Sequence, residues 1–144
     1  MRRAWIVLAA VLMAIGVVGV GPAGAKSSKP VSIDGKVNAK GAKDISSTKS
    51  ASIEIEADDY YFNPTFVKVQ PGEKVRITLK NEGSAVHTFT SDGLSIDHDV
   101  AAGKSAKVTL TVPSSGTAFE FHCSFHGDMG MKGAFYTKAG GTAQ

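Results

Sequence analysis

An all-β sandwich or barrel is the fold class that this sequence predicts, and three observations predict it. Apolar and polar residues alternate with period two in four separate runs. Turn-forming pairs recur between those runs at close spacing. No stretch shows a convincing helical period, and many short strands with frequent turns indicate antiparallel β structure. At 144 residues the chain has room for one domain of ordinary size and some extra sequence.

Residues 1–25 do not belong to that domain. Arg2 and Arg3 precede an uncharged, mostly apolar run over residues 4–20, and Ala23-Gly24-Ala25 supplies the small-x-small pattern that a signal peptidase accepts. The segment reads as a signal peptide. The run is also barely long enough to span a bilayer, so an uncleaved N-terminal anchor is the alternative. Both readings export the rest of the chain to a periplasmic or extracellular compartment, and membrane association is expected only through this segment. No cysteine lies near the cleavage site, which excludes a lipoprotein anchor.

Residues 26–50 are mainly Lys, Ser, Gly and Ala with few large apolar side chains. Such a composition buries too little surface to order itself, so a flexible linker is expected, spanning roughly 25–30 Å on average. It also holds the positive charge. Six lysines face two acids there, whereas residues 51–144 carry seven lysines and Arg76 against eleven acids. The predicted domain, residues 51–144, therefore lacks the clustered Lys and Arg of a nucleic-acid footprint.

Within it, Ile53 and Ile55 alternate with Glu54 and Glu56, and Val75, Ile77 and Leu79 alternate with Lys74, Arg76, Thr78 and Lys80. Val108, Leu110 and Val112 alternate with Lys107, Thr109 and Thr111, and Phe119, Phe121 and Cys123 alternate with Glu120 and His122. Asn63-Pro64, Pro71-Gly72, Glu82-Gly83, Asp92-Gly93 and Ala102-Gly103 mark turns. The carboxylate pairs Asp58/Asp59 and Asp97/Asp99 read as solvated turns, and His98 and His122 as solvated histidines.

The chemistry concentrates in F-H-C-S-F-H-G-D-M-G-M-K-G, residues 121–133. Cys123, the lone cysteine of an exported chain, has no partner for an internal disulfide. Alternation points it into the sandwich with Phe119 and Phe121, at the end of its strand. His126 follows three residues later and Met131 five beyond that, and a thiolate, an imidazole and a thioether in one tight loop select copper. His87, after the strand ending at Lys80 and the Glu82-Gly83 turn, is the candidate fourth ligand. Two histidines and a cysteine with a weak axial methionine make an electron-transfer copper site. Spacing alone permits Met129 in the axial place as well. Phe125 is either a core residue or part of an apolar rim.

In F-N-P-T-F-V-K-V-Q-P-G-E-K-V-R-I-T-L-K-N (residues 62–81), A-V-H-T-F-T (85–90), F-H-C-S-F-H (121–126) and M-K-G (131–133), the chain resembles the cupredoxins. This small blue copper protein family includes plastocyanin, amicyanin and pseudoazurin. The resemblance implies a Greek-key β-sandwich, one type 1 copper held by His87, Cys123, His126 and Met131, and one-electron shuttling through the exposed edge of the second histidine. The M-K-G text favours Met131 over Met129. Many members have Asn directly after the first histidine, tying the two ligand loops; here Thr88 stands in its place.

The function expected is a non-catalytic type 1 copper protein, a monomer carrying single electrons between extracytoplasmic redox protein partners. A copper carrier or storage protein using the same ligands is the alternative. A copper enzyme is disfavoured because four protein ligands leave no vacant position, and no Ser/His/Asp pattern or phosphate-binding glycine loop is present.

Overall fold

The computed structural model describes residues 29–144, so the signal-peptide or anchor reading of residues 1–25 lies outside the described residues. Ten strands follow one another: β1 (Ala42–Asp44), β2 (Ser50–Asp58), β3 (Tyr61–Asn63), β4 (Phe66–Lys68), β5 (Lys74–Asn81), β6 (His87–Ser91), β7 (Ile96–Val100), β8 (Ser105–Thr111), β9 (Ala118–His122) and β10 (Lys132–Tyr136). They make a six-stranded sheet in the order β1-β4-β10-β9-β6-β7 and a four-stranded sheet in the order β3-β2-β5-β8. Among the described residues the helical turns are two short 3-10 segments, Asp92–Leu94 and Gly127–Met129.

The alternating runs become the strands that face the core. Ile53, Ile55, Val75, Ile77, Leu79, Val108 and Leu110 from the smaller sheet are buried, and their charged neighbours point to solvent. From the larger sheet come Phe89, Phe121 and Phe135, with Phe62 of β3 against them. Phe62 meets Phe89 and Phe121 edge-on at 5.7 and 5.3 Å between ring centroids, and Phe121 lies 4.8 Å from Phe89 and 5.2 Å from Phe135. These are the offset and T-shaped separations that aromatic quadrupoles prefer.

Both sheets are mixed rather than antiparallel throughout. β2 pairs with β5 in parallel, Ala57 opposite Asn81, and β4 pairs in parallel with both β1 and β10. A parallel pair needs a crossover, and the chain supplies it by leaving the smaller sheet after β3 and laying β4 into the larger one before returning as β5. The parallel register brings the ends of β2 and β5 together, and the turns that follow them open at the same end of the sandwich as the loop joining β9 to β10.

The segment expected to be a flexible linker is instead ordered from residue 29 onward. β1 adds a strand to the edge of β4, and Ser32 bridges Thr142 near the C-terminus. Val31 and Ile33 are buried against Phe66, Ala118, Ala134 and Tyr136 on the outer face of the larger sheet. That second apolar face explains why β10 is a continuous buried run from Gly133 to Tyr136 rather than an alternation. Composition hid this because the segment gains its order by borrowing backbone partners: Ile45 N–H donates to the Lys68 carbonyl, Thr65 N–H to that of Lys40 and Asn38 N–H to that of Gly130. The short alternation Val31-Ser32-Ile33 was the available signal.

Digestion of the purified chain should therefore leave residues 29–50 attached to the domain, as read by mass spectrometry of the limit product. Ile33→Ala should cost about 2 kcal/mol of stability and Phe121→Ala about 3–5 kcal/mol, measured by denaturant unfolding.

Candidate metal centre

Four chain segments converge at the open end of the sandwich. On β6, His87 shares a face with Phe89; on the strand line of β9, Cys123 shares a face with Phe121. Each therefore continues the inward row of an aromatic core strand, and both are completely buried. β6 and β9 are antiparallel with Thr90 opposite His122, which carries Thr88 beside Ser124 and His87 to the cysteine. His126 enters from the loop that turns back at Cys123, where the His126 and Gly127 amides both donate to the Cys123 carbonyl at 3.1 and 2.7 Å.

The result is a triangle of donor atoms. Cys123 Sγ lies 3.8 Å from His87 Nδ1 and 3.4 Å from His126 Nδ1, and the two Nδ1 atoms are 3.2 Å apart. The point equidistant from these corners lies about 2 Å from each, an ordinary length for a first-row metal bond to imidazole, slightly short for a thiolate. Three lone-pair atoms this close suit a cation between them, and the donor set is the one that favours copper. The residues present fit the metal that the sequence implies.

Of the two methionines in the loop, Met131 is fully buried while Met129 is 45% exposed. Met131 is tied to both neighbours through its backbone: its carbonyl accepts from the Cys123 amide at 3.0 Å and its amide donates to the His126 carbonyl at 3.2 Å. His98 is exposed on β7, and His122 is half-buried with Nδ1 3.9 Å from a Glu120 carboxylate oxygen; neither joins the triangle. Phe125 is 62% exposed with its ring 6.2 Å from that of His126, so it belongs to a rim rather than to the core.

The polar frame around the triangle is largely buried. Thr88 N–H points at Cys123 Sγ at 3.4 Å, and Thr88 Oγ1 accepts the Ser124 amide at 2.8 Å, so its hydroxyl ties the two ligand segments where many cupredoxins use Asn. Asn81 braces the turn before His87: its amide donates to the carbonyls of Ala85 and Val100, and its oxygen accepts the Gly83 N–H. Asn38, from the segment expected to be a linker, donates to the carbonyls of Tyr60 and Met129 at 2.8 and 3.0 Å. A Cβ at Gly130 would run into the Asn38 side chain, and Gly130 has φ +100°, so glycine serves both the left-handed turn and the close approach.

Asp59 departs most from expectation. Rather than a solvated turn residue, it accepts a hydrogen bond from His87 Nε2 at 3.0 Å and others from the hydroxyl and amide of Ser84. These bonds, the Ser84 hydroxyl first, hold its pKa down at about 2. An ionised carboxylate only accepts, so Nε2 carries the His87 proton and Nδ1 keeps its lone pair for the triangle. Burial pushes the His87 pKa down, against the opposing pull of Asp59, and so favours the neutral ring. Tyr60, next in sequence, lies with its ring 4.4 Å from that of His126. Sequence reasoning missed Asn38, Asp59, Tyr60 and Asn81 as parts of the site, because no ligand spacing marks a residue that acts through another.

The family model of the cupredoxin-like domain matches residues 27–135. This chain belongs to the cupredoxin-like family. Over 40 residues this cupredoxin is 50% identical to the copper-resistant cuproprotein CopI of Pseudomonas aeruginosa, a match covering 28% of this chain and only 22% of that protein. Its fold is similar to dithionite-reduced auracyanin from the photosynthetic bacterium Roseiflexus castenholzii, with TM-score 0.51 and 18% identity over 62% of this chain and 97% of that one. It is also similar to the metal-binding domain of the Cu(I)-exporting P-type ATPase CopA of Streptococcus pneumoniae, with Cu(I), at TM-score 0.54 and 17% identity, covering 67% and 94% of the two chains. The all-β cupredoxin sandwich is thus shown, and the family model covers residues 27–50 as well as the domain expected to begin at 51.

Thr88→Val should leave the Ser124 amide without its acceptor and destabilise the metal-free cupredoxin by about 1–2 kcal/mol, with Thr88→Ser close to wild type in the same unfolding titration.

Proposed function

We propose that this cupredoxin holds one type 1 copper with His87, Cys123, His126 and Met131, and carries single electrons between partner proteins outside the cytoplasm. Copper supplies the one-electron couple. The chain's own residues hold the donor atoms in a fixed triangle, exclude water from three of the four ligands and leave the fourth accessible. The observation that supports this best is the position of the exposed apolar side chains. Val86, Phe125 and Met129 are the large hydrophobic residues exposed among the described residues, and they lie beside His87, beside His126 and within the His126–Met131 loop. An apolar surface around a half-buried imidazole edge favours brief contact with a partner close to the metal.

A second reading, a copper carrier or storage protein, draws support from the likeness to a copper-resistant cuproprotein and to a Cu(I)-exporter domain. In that case the payload is the ion, and exposed Met129 becomes a soft donor at its exit.

The chain loaded with Cu(II) should show an intense blue thiolate-to-copper band and a narrow EPR hyperfine splitting, and should cycle at an electrode without losing metal. Rapid copper transfer to a chelator during cycling would instead favour the carrier. Cys123→Ser should remove the blue colour entirely, whereas His98→Ala and His122→Ala should retain it. Met131→Leu should retain copper and raise the reduction potential, because a weak thioether donor is withdrawn, and Met129→Leu should change little; the opposite pattern would assign the axial place to Met129.

A further inference from the structure

His87 and His126 present the same Nδ1 atom to the triangle but are supported in opposite ways. His126 keeps part of its surface in solvent against Tyr60 and Phe125. His87 is sealed, with no exposed side-chain surface, and its far nitrogen ends on a carboxylate that is itself only 25% exposed. Asp59 reaches it from the turn between β2 and β3, a different part of the chain from every ligand.

Three features argue that this contact is built rather than incidental. Asp59 is oriented on both oxygens: Oδ2 accepts the Ser84 amide at 3.0 Å and the Ser84 hydroxyl, while Oδ1 faces His87 Nε2 at 3.0 Å and the Ala85 amide at 3.4 Å. Ser84 and Ala85 belong to the turn leading into β6, so one carboxylate fixes both the histidine and the backbone that delivers it. Gly83 presses over the same contact so closely that an added Cβ would collide with the Asp59 carboxylate and come 3.0 Å from His87 Nε2. Position 83 thus has room for glycine and for no larger side chain without displacing the Asp59–His87 contact.

We propose that Asp59 is a positioning residue for the copper site, whose negative charge, relayed through the His87 ring, fixes the Nδ1-donor tautomer and favours Cu(II) over Cu(I). The physical reason is short. A carboxylate bonded to the far N–H makes the imidazole a stronger donor, and a fixed negative charge near the metal stabilises the higher charge state. The proposal rests on copper binding at His87 and not on electron transfer to any partner.

The experiment compares Asp59→Asn and Asp59→Ala with wild type in the full chain, using three readouts: the reduction potential by voltammetry, Cu(II) affinity by competition with a chelator, and the His87 imidazole nitrogen shifts of the metal-free protein by NMR. Asp59→Asn keeps the shape and an accepting oxygen but removes the charge, so it should raise the potential while leaving the tautomer unchanged. Asp59→Ala should raise the potential further, mix the His87 tautomers and weaken Cu(II) binding by about 10–100-fold. A potential unmoved by either substitution, or an unchanged tautomer in the Ala variant, would overturn the proposal. Should Asp59→Ala fail to fold, the Asn variant alone decides whether the charge matters. Metal lost on cycling in wild type would defeat the electron-carrier reading, yet the Asp59 effect on Cu(II) affinity and on the metal-free ring would still be measurable.

Discussion

Residues two apart on a strand share a face, and the architecture of this site follows from that constraint acting on two neighbouring strands. Phe89 on β6 and Phe121 on β9 must both point inward to build the aromatic centre of the core, and their rings lie 4.8 Å apart. Once they do, His87 and Cys123 are in phase with them, and the antiparallel pairing brings one from the start of its strand and the other from just past the end. The ligands are thus the outermost layer of the hydrophobic core. A slip of one residue in either strand would turn the aromatic ring and the ligand outward together, so packing energy that has nothing to do with metal guards the site's geometry.

A row of buried donors would be costly without partners, and the surrounding frame supplies them. Thr88, Asn81 and Asp59 each bond more than one segment, and Asn38 joins the carbonyls of Tyr60 and Met129 across the end of the sandwich. Each such bridge removes freedom from a turn that carries or adjoins a donor residue. The N-terminal segment belongs to this frame twice: Val31 and Ile33 cover the back of β4 and β10, and Asn38 pins the ligand loop that β10 closes.

How far the sequence reveals this depends on what kind of signal each part leaves. Core strands leave period two, so Ile53/Ile55, Val75/Ile77/Leu79 and Val108/Leu110 were legible, and so was the inward face of Cys123. The loop from Cys123 to Met131 was legible because soft and nitrogen donors are rare neighbours. β1 was not: three residues that are all exposed and held by backbone bonds leave no side-chain pattern, and the segment around them looks like disorder. The mixed pairing was also hidden, since alternation says which face is buried and nothing about which strand lies alongside. From sequence Asp59 looks solvent-exposed because a carboxylate in a turn usually is; its partner lies 28 residues away and only the parallel pairing of β2 with β5 brings the two turns together.

The same frame divides labour between the two histidines. His87 has no free side-chain surface and a carboxylate behind it, so it is suited to hold a position. His126 is anchored through the backbone of a short loop, with Met131 N–H on its carbonyl, and its ring lies against Tyr60 and 6.2 Å from exposed Phe125, while exposed Met129 sits in the same loop. Of the three donors in the triangle, His126 is thus the one with surface open to solvent. The buried support of the site therefore resides in the strands and in Asp59, and its accessible edge in the loop. That separation leaves the outer surface of the loop able to vary without disturbing the donor triangle beneath it.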